Sequence, residues 1–275
     1  MAGHGMDLTI NSRNLNGNIK WNTTLLFSHA TDKVTHYDVA PYGYQLAGAG
    51  TGIPNVGKPV FGVYAYKWGG LDAATGNPIG YVNGAQSQDY ATITTATPVN
   101  QLVYIGPARP TYFGGLNNRF SYKGFSLAVQ INYKLGYYFM APALSYSNIT
   151  SRGAFLSVNR QFNQRWQYPG DQTNVPSMVY PFAPARDQFY QESTVNMQNA
   201  DNIRLQDISL SYDFNKAAYR KLPFNNLQLF VYANNICILW KANHVGLDPD
   251  AVPGPADDTT MPSPRSLAIG LKGSF

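Results

Sequence analysis

The chain has 275 residues, and only 13% of them are charged, against about 25% in a typical soluble domain. Aromatic residues make up 14%, yet the mean hydropathy is −0.27, so apolar residues are interspersed with small polar ones. The apolar run at 236–240 is far shorter than the ~18 residues of a membrane-crossing helix, and the N-terminus lacks a signal-peptide pattern. The net charge of +5 is scattered, which gives no indication of nucleic-acid binding, and a single cysteine, Cys237, excludes an internal disulfide framework.

Apolar and polar residues alternate with a period of two along most of the chain, which predicts strands with one apolar face. In chain order, the clearest predicted strands are 6–13, 18–30, 111–121, 124–138, 202–214, 226–240 and 265–275. Most of them reach the ~9–11 residues that a tilted membrane-spanning strand needs, whereas soluble strands average about 5–6. Their polar face carries mainly Ser, Asn, Gln, Gly and Thr, which suits a water-filled lumen behind a lipid-facing apolar face.

We therefore predict an all-β fold, an antiparallel transmembrane β-barrel segment in an outer membrane. The alternative is a soluble or surface-attached β-sandwich that binds glycans and has one sheet face exposed to water. Short connections at 13–17, 122–124 and 215–225 contrast with long ones at 38–58, 84–110, 140–200 and 241–264. Outer-membrane barrels have short periplasmic turns and longer extracellular loops, so we assign the connections in that way.

Two further strands are predicted between 18–30 and 111–121 to maintain the up-and-down order. One is 59–68, and the other lies between 77 and 106, with "GGLDAATGNP" as a periplasmic turn. The expected total is about nine strands.

A glycine-rich stretch, "GIPNVGK" at 52–58, has the spacing of a phosphate-binding loop. Such a loop needs a Ser or Thr after the lysine to ligate magnesium, a buried strand before it and a helix after it. Here Pro59 follows Lys58, a polar segment precedes it and a strand-like run comes next. We interpret the glycines as loop residues and expect no nucleotide or other cofactor.

The region 140–200 has the composition of a sugar-binding surface, with aromatic residues beside amides and arginines. Trp166 and Tyr168 are the best candidate ligand contacts, for a glycan or a peptide; the alternative is that these aromatics pack the loop against itself or form an interfacial girdle. The four histidines have no metal-ligand spacing, and the prolines in "DPDAVPGPADD" break up any calcium-loop pattern. The sequence has no recognisable Ser/His/Asp or Cys/His arrangement of catalytic residues. We therefore predict neither a metal site nor an enzyme.

Several stretches taken together resemble a known family. They are "GVYAYKWGGLDAATGNPIGY", "PTYFGGLNNRFSYKGFSLAVQINYKLG", "ADNIRLQDISLSYDF", "NNLQLFVYANNICIL", "HVGLDPDA" and "PSPRSLAIGLKGSF". In this order they resemble the C-terminal part of SusC/RagA-type TonB-linked outer-membrane proteins of Bacteroidetes. The final strand, with Leu267, Ile269, Leu271 and the terminal Phe275, resembles the signal that the barrel-assembly machinery reads.

The resemblance implies that residues 1–275 are a partial TonB-dependent receptor barrel domain, from a 22-stranded barrel whose plug and N-terminal strands are absent here. It implies import of oligosaccharides or other large nutrients across the outer membrane, energised by the TonB–ExbB–ExbD complex through the missing N-terminal part. A SusD-like surface lipoprotein is the implied partner. Open strand edges are not tolerated in hydrocarbon, so we expect the isolated fragment to misassemble.

Overall fold

The computed structural model describes residues 1–48, 52–151, 160–215, 224–251 and 262–274. The strands are β1 (Ala2–Asn16), β2 (Ile19–Lys33), β3 (Gly62–Ala65), β4 (Gly80–Val82), β5 (Ala85–Ser87), β6 (Val103–Pro107), β7 (Tyr112–Tyr122), β8 (Phe125–Leu135), β9 (Tyr138–Met140), β10 (Met197–Asn199), β11 (Asn202–Asn215), β12 (Asn226–Lys241) and β13 (Ser266–Ser274). The α-helices are α1 (Gly43–Leu46), α2 (Tyr90–Ala96), α3 (Tyr146–Ser151) and α4 (Pro184–Gln191). Short 3₁₀ turns occupy Val99–Gln101, Arg160–Gln164, Thr194–Asn196 and Pro249–Ala251. No helix in the described ranges has the length and apolar character needed to cross a membrane.

Seven long strands form one antiparallel sheet in the order β1-β2-β7-β8-β11-β12-β13. They run from 9 residues in β13 to 16 in β12. Tight turns or short segments join β1 to β2, β7 to β8 and β11 to β12, all at what we call the short-turn end. The connections from β2 to β7, β8 to β11 and β12 to β13 lie at the opposite, long-connection end. The predicted all-β, antiparallel fold is confirmed.

Register places the apolar residues of neighbouring strands on one face of this sheet. One row across it pairs Leu25 with Leu116, Leu116 with Ile131, and Ile131 with Leu205. The neighbouring row on the opposite face pairs Asn117 with Gln130 and Gln130 with Asp207. A one-residue slip would exchange the two faces, so the alternation in the sequence fixes the register.

The predicted strand count of about nine is wrong for the described residues, whose long sheet has seven strands. The segment predicted as a strand at 59–68 contributes only β3, which pairs with β6 outside the long sheet. Its side chains Val63, Tyr64 and Ala65 are all at most 3% exposed, so it lies in a packed core and not at a lipid boundary. No extra strands are needed, because β2 pairs directly with β7 and the up-and-down order is already satisfied.

The long connections pack against each other into what we call the lobe, residues 34–111 and 136–201 within the described ranges. Its main apolar cluster joins Leu46, Tyr66, Ile93 and Phe189, from four separate segments. A second cluster joins Leu144, Tyr146, Val175 and Tyr190. The sequence predicted most of these residues to be long extracellular loops, but in the described part of the chain they contain the buried apolar residues.

Candidate functional site

A cavity of about 410 Å³ opens on the lobe and is lined by three segments of chain. Trp166 and Tyr168, the two predicted ligand contacts, both line it. The hairpin at 69–79 contributes Thr75 and Asn77, and the segment after Val175 contributes Ser177, Met178 and Val179. The structure therefore brings the predicted pair together and adds polar residues from a part of the sequence about 90 residues away.

The turn that carries Tyr168 is held by one carboxylate. Asp171 accepts hydrogen bonds from the backbone N–H groups of Gln167 at 2.7 Å and Tyr168 at 3.0 Å. These bonds lower the pKa of Asp171, because they stabilise its charged form. Trp166 donates its backbone N–H to the Val175 carbonyl at 2.9 Å. The aromatic side of the cavity therefore lies on a fixed backbone.

The hairpin at 69–79 forms the opposite wall and packs against Trp166. Asp72 closes its turn by accepting from the backbone N–H and the hydroxyl of Thr75, both at 2.8 Å. Gly76 has φ +67°, and a Cβ there would lie 2.4 Å from the indole ring of Trp166. A glycine is thus required both for the backbone conformation and for the close approach of the ring. This turn lies in the lobe at the long-connection end and does not join two strands of the long sheet, as the prediction of two further barrel strands required.

Arg186, on α4, lies beneath the polar side of the cavity and is only 3% exposed. Its guanidinium donates to the Asn77 side-chain carbonyl at 3.1 Å, and to the Ser177 carbonyl and hydroxyl at 2.8 and 3.1 Å. Burial lowers the pKa of Arg186, and its neighbours Tyr90 and Asp187 oppose that effect. The side chain ties two walls of the cavity to the helix. The sequence analysis did not single it out, because an isolated arginine has no signal of its own.

The cavity combines aromatic faces with hydrogen-bonding groups. Tyr168 is 70% exposed, and Tyr180, close by in sequence, is 86% exposed. Arg165 is its one charged lining residue; its guanidinium lies 4.1 Å from the Phe162 ring centroid and donates to the Phe162 carbonyl at 2.8 Å. Exposed aromatic rings beside amides and hydroxyls suit a ligand with alternating apolar and polar faces, such as a sugar ring.

The other aromatic residues of 140–200 have a different role. Tyr146 and Tyr190 are 2% and 3% exposed and pack inside the lobe, as the alternative interpretation of this region expects. Tyr146 donates its hydroxyl to the Pro176 carbonyl at 2.6 Å, directly behind the cavity wall. Phe155 lies outside the described residues.

The polar face of the long sheet is lined by side chains that bond to each other. Asn117 donates to Gln130 at 2.9 Å, and Gln228 donates to Asp213 at 2.8 Å. At its long-connection end Arg204 pairs with Asp248 at 2.5 Å. Asp250 pairs with Lys134 at 2.8 Å and lies 3.4 Å from Arg204. Because these carboxylates already have cationic partners, they do not form an open acidic site.

The apolar face of the sheet ends in aromatic side chains at both ends. Trp21 stacks on Phe120 at 5.4 Å near the short-turn end, where Phe125 and Tyr212 also meet at 4.4 Å. Near the other end, His29 stacks on Tyr112 at 4.4 Å. Aromatic girdles at the two interfaces of an apolar band are typical of outer-membrane barrels.

The residues of the predicted assembly signal lie on the edge strand β13. Leu267, Ile269 and Leu271 are 70%, 71% and 69% exposed and share the apolar face. Phe275 lies outside the described residues.

The stretch at 52–58, which resembles a phosphate-binding loop in spacing, packs against the end of β2. The backbone N–H of Gly57 donates to the Val34 carbonyl at 2.8 Å. The ammonium of Lys58 lies 4.2 Å from the centroid of the Tyr104 ring. The strand β3, not a helix, follows, so the anion-binding half of such a loop is not formed. In the described ranges no group of three or more His, Cys, Asp or Glu residues could hold a metal ion.

Comparison with known proteins shows similarity to a TonB-dependent receptor in sequence and to a peptide transporter in fold. The chain is 29% identical over 183 residues to "TonB-dependent receptor P39" of Formosa agariphila, a match that covers 64% of this chain and 17% of that receptor. No protein-family model matches the chain.

Solved structures share the fold. The RagAB peptide transporter superposes on 99% of this chain with a TM-score of 0.71 and 18% identity, and the match covers 29% of the solved chain. The RagAB peptide importer in its "open-open" state gives a TM-score of 0.71 with 19% identity and 28% coverage. The chain thus spans less than a third of the proteins it matches. The matched proteins are named as a receptor and as transporters, not as enzymes. The predicted resemblance is confirmed: the chain is similar to part of a SusC/RagA-type TonB-dependent outer-membrane transporter.

Proposed function

We propose that this chain is the C-terminal barrel portion of an outer-membrane TonB-dependent importer. The observation that carries the proposal is the inverted distribution of apolar residues. Ile269 on β13, Leu8 and Ile10 on β1, and Leu210 on β11 are between 45% and 71% exposed on one sheet face, while the buried core lies in the lobe. Lipid is the solvent that such a face needs, and water suits the hydrogen-bonded polar face opposite.

The same face argues against the soluble sandwich. A sandwich covers its apolar sheet face with a second sheet at a distance of about 10 Å. The other sheets in the described residues have only two strands each, of three to five residues. They lie in the lobe and leave the apolar face of the long sheet uncovered.

The strands β1 and β13 are each paired on one side only, in the described residues. Unpaired backbone groups are costly in hydrocarbon, so we propose that further strands of the same protein complete the barrel. The long-connection end with its lobe then faces outward, because outer-membrane barrels have their long loops on that side.

For the cargo, we propose oligosaccharides, with Trp166 and Tyr168 as early contacts. Their support is the pairing of exposed aromatic rings with amide and hydroxyl groups in one cavity. We further propose energisation through the TonB–ExbB–ExbD complex and pairing with a SusD-like surface lipoprotein. The matched structures are named for RagAB and a peptide, so peptides are the competing cargo.

Uptake by cells that make the complete protein tests this function. Cells would receive a fluorescently labelled oligosaccharide mixture or a labelled mixture of short peptides, with and without a protonophore. We expect oligosaccharide uptake that the protonophore abolishes, because TonB draws on the proton gradient. Replacing both Trp166 and Tyr168 by alanine should reduce uptake about tenfold or more, since each lost stacking contact is worth roughly 1 kcal/mol. Uptake of peptides alone would contradict the cargo, and uptake that ignores the protonophore would contradict the energisation.

A further inference from the structure

A second cavity, of about 330 Å³, lies on a different part of the lobe and shares no lining residue with the first. Its floor is apolar: Tyr66 and Ile93 are each 1% exposed. The hydroxyls at the bottom are already engaged, because Tyr66 donates to the Thr94 carbonyl at 3.0 Å and Thr97 donates to the Ile93 carbonyl at 2.7 Å. The floor therefore offers a ligand a contact surface but no free donors.

The rim, in contrast, carries side-chain donors without protein partners. Lys67, Asn83 and Gln101 line the cavity and are exposed, and their side chains make no hydrogen bond to other residues in the described part of the chain. Lys67 takes no part in the ion pairs formed there. Its ammonium is instead held 4.3 Å from the centroid of the Tyr81 ring, at the cavity wall. The cation is thus positioned without being neutralised.

The backbone fixes where these donors stand. Asn83 and Gly84 connect β4 to β5 with φ values of +51° and +84°, the two-residue turn that Asn-Gly favours. Gln101 is the last residue of the 3₁₀ turn Val99–Gln101, and its backbone N–H donates to the Pro98 carbonyl at 2.9 Å. Two short, hydrogen-bonded turns and one cation–π contact therefore hold the rim around an apolar floor.

We propose that this cavity binds a small carboxylate whose body is a ring or a short apolar group. One ammonium matches one negative charge, and the two amides can donate to the remaining carboxylate lone pairs. None of the lining side chains is acidic, so nothing in the wall opposes an anion. The volume lies within the range of small-molecule sites. Such a carboxylate occurs at an acidic sugar and at the C-terminus of a peptide.

Binding to the complete protein, purified in detergent, tests this site without any transport step. Calorimetric or ligand-observed NMR titrations would compare D-glucuronate with D-glucose, and N-acetylalanine with N-acetylalanine amide. We expect at least one carboxylate to bind with a Kd of about 1 mM or tighter, and its neutral counterpart about tenfold or more weakly. Binding of glucuronate indicates an acidic sugar, and binding of N-acetylalanine indicates a peptide end.

Lys67→Gln should weaken the bound carboxylate about tenfold, because it removes the charge and keeps a donor. Lys58→Gln is the matched control, since Lys58 also lies over a tyrosine ring but outside the cavity. The proposal is overturned if neither carboxylate binds, if the neutral ligand binds as well as the charged one, or if Lys67→Gln behaves like Lys58→Gln. Because no uptake is measured, failure of the importer proposal would leave this result unaffected.

Discussion

Arg186 is the side chain on which the first cavity most depends for its shape. Its guanidinium donates to partly buried Asn77 and to buried Ser177, and a methionine at this position would leave both without that donor. We expect Arg186→Met to lower the free energy of unfolding by about 1–3 kcal/mol. Arg109→Met is the control, because Arg109 is exposed and its guanidinium lies over the Phe61 ring, 3.6 Å from the centroid. Denaturant titration followed by tryptophan fluorescence measures both, and equal effects would show that Arg186 has no special role.

Glu192 gives the lobe a pH dependence of a defined sign. Burial raises the pKa of its carboxyl from 4.5 to about 7, while the hydrogen bond from Gln188 opposes the shift. The folded state therefore binds the proton more tightly than the unfolded state. Stability should be fully present below pH 4.5 and be lost as the pH rises to about 7, by about 2–3 kcal/mol.

Glu192→Gln should abolish this slope and make the protein more stable at alkaline pH. Asp171→Asn should keep the slope, because hydrogen bonds lower the pKa of Asp171 and its contribution is lost only on acidification. Unfolding titrations across this pH range measure both variants. A slope that persists in Glu192→Gln would show that another group is responsible.

At the scale of one element, the hairpin at 69–79 connects sequence to site. Gly76→Ala should displace the Trp166 ring, since the new methyl group has no room beside the indole. Gly70→Ala is a matched control: Gly70 also has positive φ, +97°, but a Cβ there meets nothing within 4 Å. Both variants bear the backbone strain of about 1 kcal/mol, and only Gly76→Ala should also lose oligosaccharide binding. Equal binding by both would contradict the packing role of Gly76.

The same elements show how far the sequence could predict the molecule. The strand β8 was predictable because Val129 and Gln130 belong to a long alternation that only one register satisfies. The lobe could not be predicted in this way, because its strands have only three to five residues. Strands of that length are too short to show an alternation of apolar and polar residues. Its contacts also join distant segments: Tyr66 donates its N–H to the Glu192 carbonyl at 3.0 Å. Trp166 and Tyr168 could be chosen by composition, whereas Arg186 and Lys67 required the structure.

At the scale of the whole molecule, the two faces of the long sheet should tolerate a charge very differently. Val129 lies on the apolar face near the middle of β8, and Gln130 lies beside it on the polar face. Val129→Lys should destabilise the membrane-inserted state by about 2–4 kcal/mol, and Gln130→Lys by much less. Folding into lipid vesicles at graded urea concentrations measures the difference. Equal tolerance at the two positions would show that neither face meets lipid.

Site-directed spin labelling along β8 tests the lipid-facing assignment most directly. A label would be placed in turn at each position of Phe125–Leu135 in the membrane-inserted complete protein, with Cys237, the single cysteine of this chain, and any cysteine in the rest of the protein replaced by alanine. We predict that accessibility to oxygen, which concentrates in lipid, peaks at Leu127, Val129 and Ile131. Accessibility to a water-soluble nickel complex should peak at Ser126, Gln130 and Asn132. A pattern without this two-residue period, or with the two reagents exchanged, would contradict a lipid-facing apolar sheet and with it the importer.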